Sequence, residues 1–573
     1  MSIQKSLWSV FLVSLLVHTP AWAQEEAADT NETSSAEESV ESSPAGEAVN
    51  ADSTHTETQE TTEGAESAEA AEGEAAEGEA VDDAEAKAEA DAATAEEAAK
   101  AEELQKFHKG DLGLAGSPEL ENPNNSIFIG MGYYNIGGLL DGKHYAEITP
   151  SLNFHFPLTE AKKLTLRAEI PLRILALNRT SDGEAPGAIR AEDYDETGDY
   201  LKVIKQVRLG RKEDRLFVNV GRLNGVTVGH GTVMRRYNGN LDPDRTRVGF
   251  QLDAYNDYGG FETFMADLSL QSRVMGALGF IKPMAFFSDN PIARSLSLGL
   301  HYTADLNAPK TLKTADNSLA IQTDDYGYPL FSETQVGIIG ADFEVKPIRI
   351  GNAFDLKVYG DLSLMANAGN GMTGGLLVRS NLGSLPYLHA FRVRMEGRTY
   401  SNNYIPQYFD GLYEIQKFSF SRGSQSGGQQ TKYQAIAEAE NNKRHFSLYG
   451  EAFYSLVDRL VVGGGIESLI DEGLYNLMLH MEVPASSIVQ LYFTYYKNFF
   501  ADLGKAFAQA EGESFSFESD TVLYTNMRIM VLPILFVNAG LKQTYQWDEN
   551  YGASGGYNPT MDFVINAQLG LEF

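Results

Sequence analysis

The sequence predicts an all-β protein, an antiparallel up-and-down β-barrel of about 20 strands, within about 16–22, whose wall crosses a lipid bilayer. Three observations predict it. From Ser126 onward apolar and polar residues alternate with a period of two. The alternating runs are about 10–14 residues long, where strands of soluble proteins average about 5–6 and a tilted bilayer crossing takes about 9–11. The polar faces of these runs are charged along much of their length, as expected of a wall that meets water inside a cylinder.

The chain has 573 residues, no Cys and a formal net charge of −34. The missing Cys excludes disulfides, thiol nucleophiles, Cys-ligated metals and a lipid anchored on Cys. The acidic balance excludes a broad nucleic-acid footprint. Residues 1–23 read as a secretory signal peptide: Lys5, an apolar run Leu7–Val17, Pro20, and a small-x-small site at Ala21-Trp22-Ala23. That run is too short for a membrane helix, which takes about 20 residues, and no later stretch is long enough either. Residues 24–83 form an acidic tract without Tyr, Phe or Trp and are expected to be disordered. Residues 84–108 are Ala- and Glu-rich and are expected to be a helical linker. Residues 109–573 are assigned to the barrel.

In the last strand Met561, Phe563, Ile565, Ala567, Leu569, Leu571 and Phe573 share one face, opposite Asp562, Asn566, Gln568 and Glu572. The same pattern places Lys163, Thr165, Arg167, Glu169 and Arg173 on an inner face, with Leu164, Leu166, Ile170, Leu172 and Ile174 outside. Asp355, Lys357, Tyr359 and Asp361 are likewise inner residues. So are Arg392, Arg394, Glu396 and Arg398, opposed by Phe391, Val393 and Met395. We count about 21 segments of this kind, including one at 430–441. Single-chain barrels are generally even-numbered, so one is in excess, and the alternation is least regular between residues 400 and 500.

The terminal stretch MDFVINAQLGLEF resembles the last strand of Gram-negative outer-membrane β-barrel proteins, which typically alternates and ends in Phe. The resemblance covers the leader and the body. It implies a location in the outer membrane, contact with outer-membrane lipid, and recognition of Phe573 by the barrel-assembly machinery as an assembly signal.

A barrel of this size encloses water unless loops fill it. The expected function is a porin-like channel for passive diffusion of small hydrophilic solutes. The alternative is a structural anchor whose acidic periplasmic tail binds a partner or the cell wall. No catalytic motif is present, and no enzyme activity, cofactor or metal is expected. The constriction is expected in the glycine-rich segment after residue 223, at Arg235, Arg236, Asp242, Asp244 and Arg245; an ordinary outer loop is the other reading of that segment. With Arg167, Arg173, Arg392, Arg394 and Arg398 set against Asp355, Asp361 and Glu396 on the lumen face, the balance leans weakly to anions. The acidic segment 178–199 is expected to be solvated surface. The aromatic tract Tyr400–Lys417 is expected to be an interfacial belt. His230, His301, His389 and His480 are scattered, and His230 between Gly229 and Gly231 reads as structural.

Overall fold

The computed structural model describes Phe107 and residues 125–572, apart from short breaks in turns and loops. The expected signal peptide, acidic tract, most of the linker, and Phe573 lie outside the described residues. The strands run in chain order as β1 (Ser126–Ile136), β2 (Lys143–Thr159), β3 (Lys162–Glu169, continued as Leu172–Asn178), β4 (Ile204–Leu209), β5 (Leu216–Gly221), β6 (Gly249–Tyr255), β7 (Gly259–Met265), β8 (Val274–Ile281), β9 (Ser297–Leu312) and β10 (Phe331–Ile350). They continue as β11 (Phe354–Met365), β12 (Asn370–Leu382), β13 (His389–Ser401), β14 (Arg444–Leu456), β15 (Leu460–Leu469), β16 (Leu474–Val483), β17 (Val489–Phe500), β18 (Thr521–Leu532), β19 (Leu535–Asp548) and β20 (Gly556–Glu572).

Each strand pairs antiparallel with the next, and β1 pairs with β20, which closes the barrel at 20 strands. The sheet has 21 hydrogen-bonded segments because β3 is interrupted, both halves pairing with β2. The interruption falls at Ile170-Pro171, where proline has no N–H to give to the ladder. Pro347 in β10 sits at a register shift between Val345 and Ile348 for the same reason.

The excess segment at 430–441 is not a strand. Lys432–Ala437 is a helix, α2, which follows the shorter helix α1 (Tyr413–Gln416). Thr431 caps α2 by accepting from the Gln434 N–H, while the Gln434 side chain accepts from the Thr431 N–H. Such a capping box outweighs a weak alternation. Thr197–Leu201 is also helical, and β4 begins after it at Ile204.

The outward faces are apolar throughout the wall. Leu300 is 68% exposed, Leu571 63% and Met395 57%, and Ile129, Ile339, Leu362 and Leu448 stand out beside them. Exposed apolar surface on this scale is untenable in water and suited to hydrocarbon. Closure leaves no sheet edge with unpaired backbone groups, which hydrocarbon would penalise heavily. Connections 256–258, 282–296 and 533–534 lie at one end of the barrel, together with the start of β1 and the end of β20. Connections 222–248, 266–273, 366–369 and 470–473 start from the other.

Strands about 4.8 Å apart and tilted by about 40° give 20 strands a backbone diameter of about 40 Å. Side chains alone cannot fill that width. Here two chain segments fold inward and supply the interior.

Candidate functional site: a lumen crossed by two inward loops

The first inward segment is 222–248. Asn224–Val226 and Tyr237–Asn238 pair as a short inner hairpin, with Val228, Val233, Met234 and Tyr237 buried. Gly229 and Gly231 have φ of 55° and 77°, in the left-handed region glycine adopts without strain, and they aim His230 at the wall. The second comprises residues 402–420 and 430–438, including α1 and α2. Tyr404, Tyr408, Phe409, Tyr413 and Phe418 are almost wholly buried. The tract 400–417 is therefore not an interfacial belt. Its rings pack inside the barrel, where they cover the first segment and fill a width the wall residues cannot reach.

The two segments bind each other through the main chain. Arg235 N donates to the Phe409 carbonyl at 3.2 Å, Phe409 N to Val233 O at 3.2 Å, and Gln407 N to Thr232 O at 2.9 Å. Arg236 and Gln407 both take left-handed φ, 54° and 53°. Left-handed backbone at non-glycine residues has to be held in place by its surroundings. Here the hold comes from the ion pair of Arg236 with the wall and from the hydrogen bonds of Gln407.

That wall is the charged inner face of β13, β14 and β15. Arg235 pairs with Glu396 at 2.7 Å, and Arg236 with Glu451. Glu396 also accepts from Arg398 Nε at 2.9 Å and from the Tyr359 hydroxyl at 2.5 Å, and Arg394 lies 3.4 Å from it. Arg398 continues to Glu467 at 2.6 Å. Gln407, with its amide oxygen turned inward, accepts from Arg398 and Arg235. Arg394 donates to the His230 carbonyl at 2.7 Å, and Arg392 reaches the Phe107 carbonyl at 3.5 Å.

A further charge cluster joins the two segments. Arg247 and Lys417 each lie 2.8 Å from Glu414, and the Tyr237 hydroxyl donates to the same carboxylate at 2.5 Å. Burial alone would push the Glu414 carboxyl up, but Arg247 and Lys417 outweigh it and hold the group at about 2. Lys432 is fully buried, 3.6 Å from Asp410 and surrounded by the Tyr408, Tyr413 and Phe420 rings.

The five expected constriction residues are divided by the structure. Arg235 and Arg236 stand against β13 and β14. Asp242, Asp244 and Arg245 lie elsewhere in the lumen, where Asp244 pairs with Arg190 and accepts from Gln546 at 2.8 Å. Arg245 lies 3.8 Å from Asp242 and over the Tyr328 ring. Burial, reinforced by Asp244, pushes the Asp242 carboxyl up to about 7.

Arg173 pairs with Glu147 at 2.9 Å and with Asp193 at 2.7 Å; Arg167 donates to Asn153 at 3.3 Å; Asp355 lies 3.8 Å from Lys346; Asp361 faces His301 at 2.7 Å. The acidic segment 178–199 is only partly solvated surface. Arg190, Asp193 and Asp199 are buried, and Asp193 is held between Arg173 and Arg190. At the short-turn end Phe107 is buried among Ala390, Phe453, Val461 and Met478.

Closure, an apolar exterior and a polar interior together decide the kind of molecule. The chain is an outer-membrane β-barrel protein. No protein-family model and no curated protein matches it. Among solved structures it is similar to OpdR of Pseudomonas aeruginosa, at 11% identity over 78% of this chain and 96% of that one, TM-score 0.30. It is also similar to the outer membrane protein OmpT of Vibrio cholerae (8%, 79% and 99%, TM-score 0.24) and to the ferric enterobactin receptor PfeA of P. aeruginosa (11%, 79% and 82%, TM-score 0.29). At these TM-scores the likenesses carry no argument about activity.

Proposed function

We propose that the protein is a narrow, loop-constricted channel for passive diffusion of small hydrophilic solutes. One observation carries this reading. Segment 222–248 turns into the lumen and is fixed to the wall by Arg235–Glu396 and Arg236–Glu451 rather than spreading over the outer surface. A loop held at the wall by buried charge reduces the cross-section while leaving polar groups along the remaining path.

The wall cluster contains Arg235, Arg236, Arg392, Arg394 and Arg398 against Glu396, Glu451 and Glu467, five positive groups to three negative. Most of this charge is spent in pairing, and the excess of two supports a weak preference for small anions. Lipid contact and delivery by the barrel-assembly machinery follow from the same reading.

Reversal potential in a salt gradient across a planar bilayer tests it, using the full chain. Discrete conductance steps with a modest anion preference are expected. Cation selectivity would end the anion reading. An inserted but silent barrel would favour the anchor, which the extent of apolar packing inside the lumen and the burial of Phe107 at the short-turn end also support.

A further inference from the structure

Many carboxylates of the lumen are met by Arg or Lys: Glu396, Glu451, Glu467 and Glu414 each have a guanidinium or ammonium partner. Asp342 and Asp361 are different. Among the described residues their ion-pair partners are imidazoles alone, His230 for Asp342 and His301 for Asp361. These two aspartates also occupy directly opposed positions on β10 and β11. Like charges directly opposite across an antiparallel pair repel, and a low-dielectric interior sharpens the repulsion. Something positive between them would remove that cost.

The local sequence makes room for it. On β9 and β10, Gly299 faces Asp342 and His301 faces Gly340. A Cβ at Gly340 would stand 2.3 Å from His301 Nε2, and one at Gly299 would stand 2.7 Å from the Asp342 carboxylate. The two glycines let His301 and Asp342 lean across the ladder toward each other. His301, Asp342 and Asp361 each offer a ligand atom within 4.8 Å of the others. His230, delivered by the inward loop, adds a nitrogen 3.7 Å from Asp342 Oδ1 and is stacked on the Tyr359 ring with centroids 4.3 Å apart.

We infer that His230, His301, Asp342 and Asp361 form a binding site for one divalent transition-metal ion of the zinc class, which ties the inward loop to the barrel wall. Metal–ligand distances of about 2.0 Å in a tetrahedron place ligands about 3.3 Å apart. The present separations of 2.7 Å (His301 Nε2 to Asp361) and 3.7 Å (His230 Nε2 to Asp342) lie on either side of that value; His301, Asp342 and Asp361 already converge, and His230 has to swing off the Tyr359 ring to join them. Two imidazoles favour zinc, cobalt, nickel or copper over magnesium and calcium, which take oxygen ligands. Two carboxylates neutralise the ion. Glu344, 3.9 Å from His230, is engaged by Lys357 at 2.7 Å and stays outside the set. The inference is independent of whether the lumen conducts.

The test uses untagged full chain in detergent, stripped with chelator and dialysed against zinc chloride in a large excess of magnesium, which occupies the carboxylates of the acidic tract. One zinc per chain is expected. His301→Gln and His230→Ala should each weaken zinc binding by more than tenfold. Barrel integrity is checked by the gel-mobility change on boiling. Cobalt in place of zinc should give the visible absorption of a tetrahedral ion. Zinc retained equally by both variants, or absent from the parent, overturns the site. Loss in His301→Gln with full retention in His230→Ala overturns the tie to the loop. Should His301→Gln not fold, the thermal shift given by zinc to parent and His230→Ala decides.

Discussion

Glu396→Gln perturbs the point where the inward loop is most heavily held. Glu396 receives Arg235, Arg398 and the Tyr359 hydroxyl, with Arg394 beside them. A glutamine keeps the shape but offers one acceptor, and its NH2 group faces donors. Removing one partner of a buried ion pair costs about 3–5 kcal/mol, because the other charge stays buried and unpaired. Arg236–Glu451 and Arg247–Glu414 remain, so the loop loosens without leaving the lumen. The amides of Arg235, Gln407 and Phe409, which join the two inward segments, report that loosening by hydrogen exchange. A loss of about 3 kcal/mol in the local opening free energy corresponds to about a hundredfold faster exchange. The double variant Arg235→Gln/Glu396→Gln should recover part of the loss, with a coupling of about 0.5–3 kcal/mol. Unchanged protection at all three amides in Glu396→Gln would refute the reasoning.

Other outcomes follow from the same structure. Glu414 is held at about 2 against a usual 4.5, so the contribution of its cluster is complete above about 4.5 and fades as pH falls toward 2; acid should lower amide protection across α1, relative to intrinsic exchange rates, before it melts the strands. Asp242 has the opposite sign: with its carboxyl pushed up to about 7, the folded lumen keeps a proton that the unfolded chain gives up near 4, so this region loses stability as pH rises through that window, and the protection of amides near Asp242, relative to their intrinsic exchange rates, should be greater at pH 5 than at pH 8. Leu300→Arg on the lipid face should cut the folded, heat-modifiable fraction, at a cost of about 2–4 kcal/mol near the bilayer midplane. Because the chain has no Cys, Phe107→Cys is a unique label site; a hydrophilic maleimide should modify it far more slowly than Cys at exposed Asp289.

Much of the wall was legible because strand alternation is local. The faces carrying Arg173, Asp361, Arg392 and Met395 point where the period of two puts them. The excess strand at 430–441 was legible too in principle, since Thr431 and Gln434 spell a capping box, but weak alternation hid it. The interior was legible only in part. Glycines at 229 and 231 signal an inward turn, whereas nothing in the tract 400–417 separates rings that face a lipid interface from rings that pack in a lumen, because both need large amphipathic side chains. The His301, Asp342 and Asp361 cluster is spread over three strands, and only closure and register bring it together. Even the division of Arg235 and Arg236 from Asp242 and Asp244 depends on the path of a folded loop, which has no sequence period.

If segment 222–248 narrows a wide barrel, shortening it should widen the passage. Single-channel conductance of the full chain, compared with a variant in which residues 228–235 are replaced by a short glycine-serine turn, tests it most directly. Small discrete steps in the parent and clearly larger, noisier steps in the variant are predicted. Equal conductance in the two proteins, with both inserted and heat-modifiable, would contradict it.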